Sequence, residues 1–305
     1  MFHVQTLPPE APQSIEQLGT KEKFWFRGED GEPWLYKDSL YASGEHWAEK
    51  AGEQICIALG VPHATYELAV YQGRRGIVSK RFLDQQAQLF LANELLVKIV
   101  PDYPRDKREV KPKEHTVQLA SEVMAQLQTQ TPIGYKPPPE LRTAFDVFVG
   151  YLMIDCLIAN QDRHHENWGF VFDPVNGSAN RLHLAPTFDH GSSLARNLQD
   201  HTRLEILRTK DANRALPAFA GRARSGFYSL GSAQVKTIST FDAFLEARRL
   251  SPEGADYWVN ALKHTETIAL TCCFDEFPSD FISDASKDFS RDLIAVNRER
   301  LLTLA

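Results

Sequence analysis

The sequence predicts an α+β fold in two lobes, a strand-rich N-lobe followed by a mainly helical C-lobe. Three observations carry that expectation. Hairpin signals fill the first hundred residues. Helical spacing replaces them after a Pro-rich, charged stretch at 101–114. One long segment, 141–159, is apolar nearly all round and reads as the buried central helix of the second lobe. A chain of 305 residues can hold one such bilobed domain with a sizeable core.

The elements follow in order. Phe24-Trp-Phe-Arg27 and Trp34-Leu-Tyr-Lys37 flank Gly28-Glu-Asp-Gly-Glu-Pro33, which reads as two strands and a turn. A helix is expected over 45–59, preceded by Ser43-Gly-Glu-His and stopped by Gly60-Val-Pro62. A second hairpin spans 65–82 and turns at Gln72-Gly-Arg-Arg-Gly76. Beyond the 101–114 loop, Val117, Leu119, Ala120, Val123, Met124 and Leu127 have helical spacing over 116–128, and Thr131-Pro-Ile-Gly-Tyr-Lys-Pro-Pro-Pro139 breaks it. Two short strands, 168–172 and 181–184, bracket Asp173-Pro-Val-Asn-Gly177, and helices are expected near 234–249, 255–274 and 288–304. The division this suggests is an N-terminal extension over 1–18, an N-lobe over 19–84 and a C-lobe over 85–305.

Composition narrows the class. The chain is 43% hydrophobic and 24% charged, as ordinary globular proteins are. No apolar stretch approaches the ~20 residues that span a bilayer, and the N-terminus carries no secretory pattern. A net charge of −6 argues against a direct nucleic-acid binder, which is normally basic. The four cysteines, Cys56, Cys156, Cys272 and Cys273, form no Cys-x-x-Cys and read as reduced thiols. A cytoplasmic protein with no membrane span is the expectation.

The chemistry concentrates after the 141–159 helix. Asp162-Arg-His-His-Glu-Asn167 is followed by an isolated Asp189 in Ala185-Pro-Thr-Phe-Asp-His-Gly191. Phosphoryl transfer needs such a set: one Asp to take the acceptor hydroxyl proton, and an Asn and a second Asp to hold Mg²⁺ at the phosphates of ATP. Mg²⁺ is hard and prefers oxygen donors of this kind. Lys37 ends a predicted strand, where an ammonium can reach the phosphates.

From about residue 18 to its C-terminus the chain resembles the HipA-type serine/threonine kinases of toxin–antitoxin systems, related at a distance to phosphatidylinositol 3/4-kinases. Asn160-Gln-Asp-Arg-His-His-Glu-Asn167 matches the family pattern Asn-x-Asp-x-His-x-x-Asn at all four positions, and Leu184-Ala-Pro-Thr-Phe-Asp189 matches its second-aspartate segment. The resemblance implies a protein-kinase-like fold that uses ATP and Mg²⁺. It implies Asp162 as catalytic base, His164 as the residue holding the catalytic loop, and Asn167 and Asp189 as metal ligands. Lys37 would clamp phosphates, braced by Glu49, with Glu53 one turn on as the alternative brace. Gly19-Thr-Lys21-Glu-Lys23 would cover the phosphates, and the backbone of Lys80-Arg81-Phe82 would meet adenine at the hinge.

The resemblance also implies a protein substrate, with translation as the affected process, and an antitoxin or other regulatory protein as a candidate partner. Two departures bear on that partner and on self-inactivation by phosphorylation. Only eighteen residues precede Gly19, where many members carry an added subdomain, and Glu16 stands where members place a self-phosphorylated serine. Three other readings stay open at this point. The same residues serve lipid or small-molecule kinases. A pseudokinase would keep the fold as an interaction module. His164, His165, His183 and His190 with the two aspartates could form an iron or zinc site instead.

Overall fold

The computed structural model describes residues 1–15, 23–39, 43–84, 86–104, 112–175, 181–229, 231 and 236–304. Six strands, β1 (Val4–Leu7), β2 (Ser14–Ile15), β3 (Lys23–Arg27), β4 (Pro33–Asp38), β5 (Tyr66–Tyr71) and β6 (Arg74–Lys80), form one sheet in the order β1-β5-β6-β4-β3-β2. Helix α1 (Glu45–Leu59) links β4 to β5. The β5–β6 turn is tighter than the sequence suggested. Gln72 and Gly73 alone connect the strands, both at positive φ (49° and 76°), the geometry that matches strand twist in a two-residue hairpin loop.

Alternation along the strands gives the sheet two apolar faces. Phe24, Phe26, Trp34, Tyr36, Tyr71 and Val78 pack together on one, with Phe24 stacked 4.9 Å from Tyr36. Leu68 and Ile77 join Ala48, Ala51 and Ile55 of α1 on the other. Residues 4–7 and 14–15, read from sequence as part of an extension, supply β1 and β2; β1 pairs parallel with β5.

The rest of the chain is mainly helical. It comprises β7 (Gln88–Leu91), α2 (Ala92–Ile99), α3 (Val117–Gln126), α4 (Ala144–Leu157), β8 (Gly169–Phe172), β9 (Leu182–Leu184), α5 (Asp200–Arg208), α6 (Leu216–Ala220), α7 (Thr240–Leu250), α8 (Pro252–His264), α9 (Thr267–Thr271) and α10 (Asp284–Leu302). Strands β7, β8 and β9 form a small antiparallel sheet. Helix α4 is the axis: apart from Asp146 every residue in it is buried. Each large apolar side chain so buried contributes roughly 1.5–3 kcal/mol. Thr143 caps the helix start through its hydroxyl, which accepts from Asp146 N–H at 3.1 Å, while the Asp146 carboxylate accepts from Thr143 N–H at 2.8 Å.

The expected helix over 255–274 is two helices. The break falls at Thr265, whose hydroxyl donates back to Ala261 O at 2.9 Å and so competes with helix continuation. Helices α2, α5 and α6 were not expected, because each is too short to establish a periodicity. Among the described residues no helix is long and apolar enough to cross a membrane. The arrangement is a kinase-like fold, a strand-rich lobe with one helix stacked on a helical lobe.

Candidate functional site

Strand register aims Lys37 into the cleft. Lys37 lies opposite Ile77, on the sheet face that α1 covers, whereas its neighbour Tyr36 lies opposite Val78 on the other face. Its ammonium, 17% exposed, sits 3.7 Å from Glu49 Oε1 and 3.6 Å from Asp189 Oδ1. Burial disfavours the charge, but the two carboxylates outweigh burial and hold the Lys37 pKa above its ordinary value. Glu49 comes from α1 and is almost fully buried; its Oε2 accepts the His190 N–H at 2.7 Å. Glu53, the alternative brace, is engaged elsewhere, with Lys50 Nζ at 2.5 Å and Tyr66 N–H at 2.9 Å.

One ammonium between two carboxylates cannot neutralise both. Burial pushes the Glu49 carboxyl up to about 7, against the pull of Lys37 and with the help of the Asp189 charge. Asp189 goes the other way: burial alone would raise it, but Lys37 and Lys23 hold it below the usual carboxylate range. Asp189 is held at φ 59°, the left-handed region that non-glycine residues rarely adopt, and its N–H donates to the Tyr66 hydroxyl at 3.0 Å. Such strain in a cleft, enforced by neighbours, is characteristic of functional positions.

The second group of residues comes from the loop after α4. Asn160 turns the chain: its amide donates to Asp155 Oδ1 at 2.8 Å and its Oδ1 accepts from Asp162 N–H at 3.2 Å. The Asp162 carboxylate is partly exposed. Ser192 Oγ donates to its Oδ2 at 3.4 Å, and His164 Nε2 faces its Oδ1 at 3.7 Å. His164 Nδ1 accepts the Glu166 N–H at 3.1 Å, so in the neutral ring Nε2 carries the hydrogen and presents it to Asp162. The Asn167 amide donates to Asp162 O at 2.7 Å, which leaves its oxygen as the acceptor a cation could use.

A buried guanidinium joins the two groups. Arg163 is fully buried and makes a bidentate pair with Asp155 of α4, both contacts at 2.8 Å. Its Nη1 also donates to Asn167 O at 2.8 Å and Phe188 O at 3.3 Å. One nitrogen therefore gathers the backbones of the two prospective metal-binding segments. Backbone bonds complete the junction, from Gln161 N–H to Ser192 O at 3.2 Å and from Leu194 N–H to Ile158 O at 2.8 Å. A cavity of about 470 Å³ opens beside Asp162, with Ser192, Ser193, Arg196 and Phe219 in its wall. Arg196 Nη1 reaches back to pair with Glu45 of α1 and bonds Ser43 Oγ at 2.7 Å, tying this loop to the strand-rich lobe.

The structure thus brings Lys37, Glu49 and Asp189 into direct contact and sets Asp162, His164 and Asn167 beside them. Gly19 and Lys21 lie outside the described residues. The N–H groups of Lys80 and Arg81 are taken by Thr65 O at 3.1 Å and Pro33 O at 3.0 Å, so the expected adenine contact through them has no free donor. The Lys80 ammonium turns outward to Asp30 at 2.7 Å, and the Arg81 side chain bonds Asp84 O. Phe82 does face the interlobe region, stacked 6.3 Å from Phe188 in an apolar patch with Ala87, Val171 and Ala185.

The histidines disperse. His165 meets the Tyr103 hydroxyl at 2.8 Å, His183 meets Thr131 O at 2.8 Å and His190 meets Thr187 Oγ1 at 2.9 Å. Burial lowers His165 to about 4 and holds His190 well below its ordinary value, so both are neutral structural residues. Among the described residues no three His, Cys, Asp or Glu side chains converge as a metal site. The donors that fit a hard cation are the Asn167 oxygen and the strained, ionised Asp189.

Sequence reading missed Asp155, Arg163, Tyr66 and the charge of Lys23. One signal was present: Asp155 is a carboxylate in the middle of the apolar segment, and a buried carboxylate requires a partner.

Residues 15–248 match the family described as the HipA-like C-terminal domain. Among solved structures the chain is similar to the proinflammatory kinase CtkA of Helicobacter pylori, with a TM-score of 0.71, 19% identity and full coverage of both chains. It is also similar to HipA of the Shewanella oneidensis toxin–antitoxin system, solved with HipB and operator DNA. That match has a TM-score of 0.52 and 10% identity over 97% of this chain and 66% of the other. No curated protein matches the sequence significantly.

Proposed function

The chain belongs to the HipA-like C-terminal domain family, and from that premise we propose that it is a kinase that transfers the γ-phosphoryl group of ATP to a serine or threonine of a protein. The observation that carries this reading is the contact of Lys37 with both Glu49 and Asp189, opposite a loop that presents Asp162 and Asn167. In this fold class a strand lysine braced by a helix glutamate holds phosphates, and the second-lobe Asn and Asp hold Mg²⁺.

Asn167 and Asp189 would hold Mg²⁺, which when bound offsets the negative charge of the phosphates. Lys37 supplies a fixed cation to the phosphate oxygens, with Glu49 and Asp189 holding its ammonium in place. Asp162 accepts the proton of the acceptor hydroxyl, whose oxygen bonds to the γ-phosphorus as the bond from that phosphorus to the β–γ bridging oxygen breaks. The electron pair leaves with ADP. His164 and Ser192 fix the Asp162 carboxylate for this role. The apolar patch of Phe82, Phe188 and Val171 suits an adenine ring.

HipA of Shewanella was solved with HipB and operator DNA. A regulatory protein partner of that kind, and a role as a toxin that arrests growth through translation, belong to this proposal for the present chain. The test is radiolabelled ATP with Mg²⁺ added to a cell extract, comparing the wild type with Asp162→Ala and Asp189→Ala. A labelled protein band dependent on both residues is expected. Labelled lipid or small molecule in place of protein would overturn the acceptor assignment, and transfer that survives Asp162→Ala would overturn the catalytic one.

A further inference from the structure

A second cavity, of about 670 Å³, is lined by Gly221, Arg222, Arg224, Tyr228, Lys236 and Thr237. In a chain of net charge −6 this is a local concentration of positive charge. Among the described residues, none of the three cations is paired with a carboxylate, and no carboxylate lines the wall. Arg222 is steadied by a bond from Nη2 to Asn213 O at 2.7 Å, which leaves most of its donors available.

Backbone hydrogen bonds hold the segments behind the arginines. Ser225 N–H bonds Ile238 O at 2.9 Å, Ile238 N–H bonds Phe227 O at 2.9 Å, and Thr240 N–H bonds Ala223 O at 3.2 Å. Tyr228 N–H is anchored to His115 O at 2.9 Å. Buried Ala223 and Ser225 alternate with exposed Arg222 and Arg224, so the segment turns its cations outward.

The segment that carries the two arginines packs on the catalytic loop. A Cβ on Gly226 would fall 2.4 Å from Arg163 O and 2.6 Å from His164 N, so this backbone lies directly on the loop that carries Asp162. Arg224 is two residues away from that contact. Summing the chain steps puts Arg224 within roughly 17 Å of Asp162, about five residues of extended peptide. Phe219 lines the cavity beside Asp162, and Gly221 lines this one.

We propose that this basic cavity binds an acidic segment of the protein substrate, selecting serines or threonines that have aspartate or glutamate within about five positions. The inference rests on the kinase reading above. Cations drawn from two separate segments, 222–224 and 236, suit several carboxylates spread along a peptide. The overall negative charge makes nucleic acid the poorer occupant.

The test uses the full chain and three fluorescent peptides with one central serine, flanked by glutamates, by glutamines or by lysines. Anisotropy reads binding and radiolabelled ATP reads transfer. The glutamate peptide should bind tightest, less so at high salt, and weaken about tenfold in an Arg222→Ala/Arg224→Ala/Lys236→Ala variant, the sum of three modest exposed contacts. Transfer to the glutamine peptide should be unchanged in that variant, and Arg224→Glu should move the preference toward the lysine peptide. Equal binding of all three peptides, or no loss in the triple variant, would sink the docking site while leaving transfer intact. Binding of the glutamate peptide without transfer to any peptide or extract protein would instead sink the kinase reading. Displacement of the glutamate peptide by a low concentration of inorganic phosphate or a phosphoserine peptide would overturn carboxylate selection in favour of phosphate.

Discussion

Two ion clusters lie on either side of Asp162, and they are built to opposite specifications. Behind the loop, Arg163 and Asp155 are matched one to one, with two contacts at 2.8 Å and the remaining guanidinium nitrogen bonded to carbonyls. In front, Lys37 is shared between Glu49 and Asp189 at 3.7 and 3.6 Å, and the cluster is one positive charge short. The balanced pair holds structure together. The unbalanced one is complete only when a further cation arrives, as a metal–nucleotide site requires.

The largest expected effects separate these roles on the activity axis. Asp162→Ala should lower transfer about 10²- to 10⁴-fold, the usual worth of a positioned general base. Asp189→Ala should abolish the Mg²⁺ dependence of nucleotide binding, read by calorimetry with and without the metal. Neither should lower Tm appreciably, since removing Asp189 leaves Lys37 and Glu49 as a matched pair. A large stability loss in Asp189→Ala would break the comparison.

The next effect is on stability. Asp155→Asn leaves the Arg163 charge buried without its partner and should cost about 3–5 kcal/mol in urea unfolding. The double replacement Asp155→Leu/Arg163→Met should recover much of that stability, because an apolar pair of similar volume avoids desolvating two charges. It should not recover activity, since the bonds to Asn167 O and Phe188 O are gone. Recovery of both would show the guanidinium to be structural only.

The smallest effect is in pH dependence. Glu49 rises from an ordinary 4.5 to about 7 in the folded state. Its contribution to stability is therefore full below about 4.5 and lost as pH rises through about 7. Its ion pair with Lys37 strengthens over the same interval, so transfer should rise with pH as stability falls. Glu49→Gln should flatten both curves; an unchanged pH–rate profile in that variant would remove Glu49 from the site.

The same contrast explains what sequence reading reached. The hairpins, α1 and α4 were legible because alternation, caps and an unbroken apolar run are local signals. The front cluster was nearly so: Lys37, Glu49, Asn167 and Asp189 stand in recognisable motifs. The rear cluster was hidden, although Asp155 stood exposed in the pattern as the polar residue of a buried helix. The short helices and the edge strand β1 were also hidden, since partners rather than propensity decide elements of that length.

By itself, then, the sequence determined the two-lobe α+β order, the loop that carries Asp162 and the chemical types available in the cleft. Only the tertiary structure decided that Glu49 rather than Glu53 meets Lys37, and that the Lys80 ammonium pairs outward with Asp30. It alone put Arg163 behind two segments that are 21 residues apart at Asn167 and Phe188, and three cations around one cavity. The reason is physical. Local periodicity dictates which face a side chain occupies, but charge pairing acts through space and is set by whichever elements the packed core brings within a few ångströms.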